Sequence, residues 1–191
     1  MDSPTTMPRW AWPGALGIAV AAAVVLRAMG RVWWCSLADW TPLSFDTWSP
    51  HNSQHLLDAY SFTHFQHGLA FFLLLAVPGR HRWVGQRWLL ALGVEGAWEI
   101  LENTPLIIDR YREATVSLDY YGDSIANSLS DLACCASGYL FASRVPWWAT
   151  ALVFVGIELT LVATLRDSLL LNILMLLWPL EAVSTWQAGG H

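Results

Sequence analysis

EGAWEILENTPLIIDRYREATVSLDYYGDSIANSLSD, residues 95–131, decides how the chain is read. It opens inside one apolar stretch and closes inside the next. Between them it carries four aspartates, two arginines and two asparagines beside its glutamates. Glu95, Glu99 and Glu102 stand at i, i+4 and i+7, and Asp123, Asn127 and Asp131 at i, i+4 and i+8. Each set falls on one face of a helix. A carboxylate at the centre of a membrane span costs about 2.5–3.5 kcal/mol on insertion scales. Such stripes must therefore face a protein interior and find partners there. Glu95 lies about 12 residues into its helix, roughly 18 Å from its start. The two stripes are expected to face each other, with His64 and His67 nearby.

The surrounding chain is greasy. Of 191 residues, 55% are hydrophobic and 13% charged, with 13 tryptophans. A soluble domain carries about 25% charged residues, so the composition points to a membrane protein. The expected fold is all-α, a single polytopic transmembrane helix bundle of about six spans: 12–34, 62–79, 83–103, 124–143, 147–165 and 168–187. Trp10, Trp12, Trp33 and Trp34 bracket the first span as interfacial anchors. A cleaved signal peptide is the rival reading of that segment. Pro78-Gly79 closes the second span, Asn103-Thr104-Pro105 the third, and Pro179 and Glu181 interrupt the sixth. The net charge of −5, with no basic run, argues against nucleic acid and leaves membrane lipids as the expected partners. All ten basic residues are arginine, which excludes lysine Schiff-base chemistry. Three cysteines without a CxxC indicate neither a disulfide framework nor a thiolate metal site, and Cys35 stands alone.

The polar motifs gather on one side of an up-down bundle. HNSQH (51–55) precedes the second span, and His64 and His67 lie in its first turns. Glu99, Glu102 and Asn103 close the third; Asp119, Asp123 and Asn127 open the fourth; Arg166, Asp167, Ser168 and Asn172 join the last two. One polar vestibule, periplasmic, is expected there. Short turns holding Arg80, Arg82, Arg87 and Arg144 then face the cytoplasm, with both chain termini on that side.

Several chemistries fit this vestibule. Histidines with carboxylates can hold a divalent metal, and His51, His55 and Glu102 are the candidate ligands. A metal-free acid–base site would use Glu99 or Asp123 with His64 and His67. A buried network that only fixes helix register uses the same residues. No HExxH, Glu-x-x-His, GxSxG, GxGxxG or P-loop occurs. Arg110, Arg112 and Arg166, with Asn127, are candidate contacts for a phosphate or carboxylate head group. Asp109, Arg110, Arg112 and Glu113 read equally as a self-neutralising turn. Tyr111, Tyr120 and Tyr121 would sit at the lipid interface, and Asp123 after Gly122 also suits a helix N-cap.

HNSQHLLDAYSFTHFQHG (51–68), EGAWEILENTPLIIDRYREAT (95–115), SLDYYGDSIANSLSD (117–131) and LRDSLLLNILMLLWPLEA (165–182) carry a family resemblance. From Gly30 to Gln187 the chain resembles uncharacterised protein family 0314 (domain of unknown function 2585), bacterial multi-pass inner-membrane proteins. The resemblance implies an integral protein of the bacterial inner membrane and supplies no activity. The chain is more loosely similar to VanZ-like membrane proteins, through His64, Glu99 and Asp123/Asn127 with Gly138. Three functions follow from the residues: an enzyme acting on an envelope lipid or head group, a non-catalytic binding or assembly factor, and a proton-coupled transporter built on Glu95 and Asp131.

Overall fold

The computed structural model describes residues 6–75, 83–115 and 120–189. They form eight helices: α1 (Ala11–Ala28), α2 (Ser61–Leu75), α3 (Val84–Glu102), α4 (Pro105–Ala114), α5 (Ile125–Ala142), α6 (Trp147–Leu165), α7 (Leu169–Leu177) and α8 (Glu181–Ala188). Among the described residues there is no strand, only an isolated bridge between Leu43 and Leu57. The chain is all-α. Pro78, Gly79, Arg80, Arg82 and Asp119 lie outside the described residues.

Helix boundaries follow local chemistry. Gly30 takes φ +91°. Its N–H donates to Arg27 O at 3.1 Å, and Arg31 N–H donates to Leu26 O at 3.0 Å. This closure satisfies the last carbonyls, so the first helix stops at Ala28 instead of running to Trp34. Pro105 opens α4, where its missing N–H costs nothing. The expected polar connection after residue 105 is therefore helical for its first ten residues.

The all-α expectation holds, and a bundle of six spans is not confirmed. Among the described residues two helices, α1 and α6, are long and apolar enough by length and composition to cross a membrane. Helices α3 and α5 carry the carboxylate stripes, which lower their apolarity. Residues 168–187 make two short helices, α7 and α8, split around Pro179. A nine-residue helix rises only about 13 Å, too little to span a hydrocarbon core of about 30 Å.

Helices α2 and α5 meet backbone to backbone. A Cβ on Gly68 would strike the Cys135 carbonyl, and one on Gly138 the Phe65 carbonyl. Helix α1 lies along α3, with the Trp12 and Trp88 rings edge-on at 4.9 Å. Ala11, Trp88, Ala91, Leu92, Leu132, Cys135 and Tyr139 form the main apolar core. The stripes occupy the opposite end, where α2, α5 and α7 begin and α3 and α6 finish.

Residues 29–60 cover that polar end. Ser124 N–H donates to Ser53 O at 3.0 Å, Ile125 N–H to Val32 O at 2.8 Å, and Leu57 N–H to Pro42 O at 3.2 Å. Helix α8 also returns there: Gln187 Nε2 donates to Arg166 O at 3.0 Å and to Asp167 Oδ1 at 3.2 Å. The start of α1 lies beside Trp88, at the other end. The break at Pro179 thus folds α8 back toward the α6–α7 turn, at the end of the bundle away from the start of α1.

Candidate functional site

His64, in the first turn of α2, is where the two stripes meet. Its Nδ1 lies 2.7 Å from Glu95 Oε1 and 3.2 Å from Glu99 Oε1, and its Nε2 lies 4.0 Å from Asp131 Oδ2. His67, one turn on, brings Nδ1 to 3.0 Å from Glu95 Oε2. An ionised carboxylate only accepts, so Glu95 holds both rings by their Nδ1 protons. Glu99 is 1% exposed. Among the described residues neither of its oxygens has a hydrogen-bond partner, and Asp131 Oδ1 and Glu102 Oε2 likewise have none. Buried carboxylate oxygens without donors are costly, and they mark where a proton, cation or ligand is wanted. His64, Glu99 and Glu102 bring one donor atom each within 4.8 Å of one another, as do His64, His67 and Glu95. Either set could hold a divalent cation.

Beside this cluster lies a cavity of about 390 Å³. Its polar wall includes His64, His67, Glu95, Glu102, Asp123 and Asp131; its apolar wall includes Phe71, Val94, Trp98, Phe154, Ile173 and Leu176. Among the described residues no arginine lines it.

Asp123 is held, not free. Asn103 Nδ2 donates to its Oδ2 at 2.6 Å, Tyr120 OH to its Oδ1 at 3.0 Å, and its own N–H donates to Asn103 Oδ1 at 2.8 Å. Burial pushes its carboxyl up to about 6, against the lowering effect of those two donors. Burial also raises the Tyr111 and Tyr120 hydroxyls well above their usual range, with nearby Asp123 and Glu102 adding to the effect. Asp123 is not the N-cap of α5: Ser124 is, its side chain accepting Asn127 N–H at 3.1 Å. Gly122 takes φ +88°, and a Cβ there would meet Arg31 and Asn103. Arg31 Nη1 donates to Tyr121 O at 2.6 Å.

The residues singled out in the sequence separate as follows. His64, His67, Glu102 and Asp123 line the cavity, while Glu99 and Asn127 are buried and do not. Asn127 Nδ2 reaches Asp58 Oδ2 at 3.4 Å. The three arginines are engaged elsewhere: Arg110 Nε with Leu176 O at 3.0 Å, Arg112 over the Tyr121 ring at 4.8 Å, and Arg166 Nη1 with Trp186 O at 2.8 Å. None of the three is among the described residues that line the cavity. The three residues read together as metal ligands fall in two places. His51 and His55 group with Cys35 in the covering segment, whereas Glu102 groups with His64 and Glu99. Tyr111 and Tyr120 line the cavity and only Tyr121 is exposed, so the expected interfacial belt is lost.

Sequence reasoning passed over Glu158, the only charged residue in α6. Its Oε1 accepts from Gln66 Nε2 at 2.9 Å and from Leu169 N–H at 3.1 Å. It anchors the start of α7, which shapes the cavity wall. A lone carboxylate in an apolar helix was the available signal.

A family model described as "Protein of unknown function (DUF2585)" matches residues 26–189. A UPF0314 protein of Sphingopyxis alaskensis is 45% identical over 184 residues, covering 95% of this chain and 97% of that one. One from Rhizobium meliloti is 46% identical over 174 residues, covering 91% and 88%. One from Paracoccus denitrificans is 43% identical over 182 residues, covering 95% and 93%. No solved structure matches the chain.

Proposed function

The chain belongs to the DUF2585 family of proteins of unknown function, and from its geometry we propose a bacterial inner-membrane enzyme that acts on a lipid head group. On this reading α1, α2, α3, α5 and α6 cross the bilayer, and α7–α8 forms a half-depth hairpin. Helix α1 starts in the cytoplasm, and the polar end faces the periplasm. The broad outer faces of α1 and α6 support the reading: Leu16, Val20, Val24, Leu152, Val155 and Leu159 all stand exposed. Apolar patches of that extent belong against lipid or protein.

The observation that carries the proposal is the mouth of the cavity. Its most open lining residues are apolar: Val94 is 47% exposed, Leu170 57% and Ile173 44%. Its floor is the His64–carboxylate cluster. A molecule that entered from the side would place an apolar chain against Trp98, Phe154 and Leu176, and a polar head against His64, Glu102 and Asp131. Glu102 and Asp131 each offer a free oxygen to take a proton from water or a hydroxyl. His64, bound to Glu95 through Nδ1 and facing Asp131 through Nε2, returns a proton to the leaving group. Glu99 and Asp123 then set the charge and position of these groups.

Purified protein in mild detergent would be incubated with total inner-membrane lipid, and head-group release or transfer followed by mass spectrometry. Wild type is expected to convert one lipid class. Asp131→Asn and Glu102→Gln should each slow this by about 10²–10⁴-fold, the scale of one acid–base group. A folded wild type that leaves every lipid class unchanged would overturn the reading and favour a binding role.

A further inference from the structure

The segment covering the polar end holds a second convergence of donor atoms, outside the cavity. Cys35 Sγ lies 3.6 Å from His51 Nδ1. His51 Nδ1 lies 3.2 Å from His55 Nε2. Asp39 Oδ2 lies 3.7 Å from His51 Nδ1 and 4.0 Å from His55 Nε2. Around a tetrahedral zinc with bonds of about 2.0–2.3 Å, donor atoms stand roughly 3.3–3.7 Å apart. These four separations, 3.2–4.0 Å, bracket that spacing, and Cys35, His51 and His55 bring one donor atom each within 4.8 Å of one another.

The neighbouring hydrogen bonds fix which atoms face inward. His55 Nδ1 lies 2.5 Å from Thr41 O. A carbonyl cannot donate, so the ring proton sits on Nδ1 and Nε2 turns a lone pair to the centre. Asp39 Oδ1 accepts Thr41 N–H at 2.9 Å, leaving Oδ2 for the centre. Orientation of a ligating histidine through its other nitrogen is the usual support of a metal site. Helix spacing has no part in it: residues 51–55 are not helical, and Ser53 takes φ +58°. The turn, not an i, i+4 face, brings the two rings together. Cys35 and His55 are buried, while the His51 and Asp39 side chains are 31% and 37% exposed. That leaves an entry path from the aqueous side.

We propose that Cys35, Asp39, His51 and His55 form a four-ligand zinc site. A thiolate and a carboxylate balance the ion's charge, and with no open position the site is structural. It clips residues 35–39 to residues 51–55. The latter carry Asn52 and Ser53 of the cavity wall, and Ser53 O receives Ser124 N–H at the start of α5. The ion therefore holds the cover in place. The proposal stands apart from the chemistry assigned to the cavity.

The test is zinc content of the full chain in mild detergent, by elemental mass spectrometry, after zinc loading and dialysis. About one zinc per chain is expected. It should fall to background in Cys35→Ser and His55→Ala and persist in His64→Ala. Cobalt exchanged into wild type should give a thiolate-to-metal charge-transfer band in the near ultraviolet, absent in Cys35→Ser. Should the buried variants fail to fold, Asp39→Ala serves, since its side chain is partly exposed. Outer-shell changes alone cost about 10–100-fold in metal affinity, so this loss of a ligand should cost at least that. A folded wild type that retains no zinc would overturn the site. So would zinc retained unchanged in Asp39→Ala together with a cobalt spectrum lacking the thiolate band.

Discussion

Asp167 gathers four donors in the turn between α6 and α7: Tyr60 OH at 2.9 Å, its neighbour Ser168 N–H at 2.9 Å, Asn172 Nδ2 at 3.1 Å and Gln187 Nε2 at 3.2 Å. Burial nevertheless pushes its carboxyl up to about 6, from 3.8, with those donors only moderating the rise. The folded state thus binds this proton more tightly than the unfolded chain does. Its contribution is full below about pH 4 and is lost as pH rises through about 6, a swing of about 3 kcal/mol between the limits. The melting midpoint in detergent should therefore fall as pH is raised from 4 to 7. Asp167→Asn should flatten that slope, although its amide meets several donors and lowers the midpoint at pH 5. An unchanged slope in the variant would show that other groups control the titration. Residues such as Asp123 and His64 were visible in the sequence because their spacing marks a helix face. Their partners were not: Asn103 on Asp123 and Glu158 on Gln66 are long-range pairings that periodicity cannot encode.

At the level of elements, the closest contact is that of α2 with α5. Gly68 and Gly138 let the two backbones touch, and a methyl on either would drive into a carbonyl. Gly138→Ala should destabilise the protein by about 1–3 kcal/mol or more, the usual penalty of overpacking. Thermal unfolding in detergent would register it as a lower midpoint; an unchanged midpoint would mean that the helices can part. Most of the helices were legible. The bounds of α3 and α6 match the apolar runs at 83–103 and 147–165 to within a residue, since Pro105 and Pro146 punctuate them. Helix α4 was hidden because its mixed charges resemble a turn. The break between α7 and α8 was hidden because nine leucine-rich residues and their successors sum to one apolar run, and Pro179 alone does not say which way the chain turns.

For the whole molecule, the sequence placed the polar motifs at one end, and the alternation of long helices does bring His64, Glu95, Glu99 and Asp131 together. What it could not place was the covering segment, whose 29–60 course depends on contacts such as Ser124 with Ser53. The hairpin of α7 and α8 has a consequence for how the protein is handled. On the membrane reading the crossings number five, an odd count, so head and tail stand in different compartments. A fluorescent reporter that matures only in the cytoplasm should glow when joined ahead of α1 and stay dark when joined behind α8. A secreted phosphatase should give the opposite pair. A tail reporter that glowed would restore an even count and require the last segment to cross. A fusion chosen by counting apolar runs would thus send its tag to the wrong side of the membrane, and a dark tail would be mistaken for a protein that had not been made.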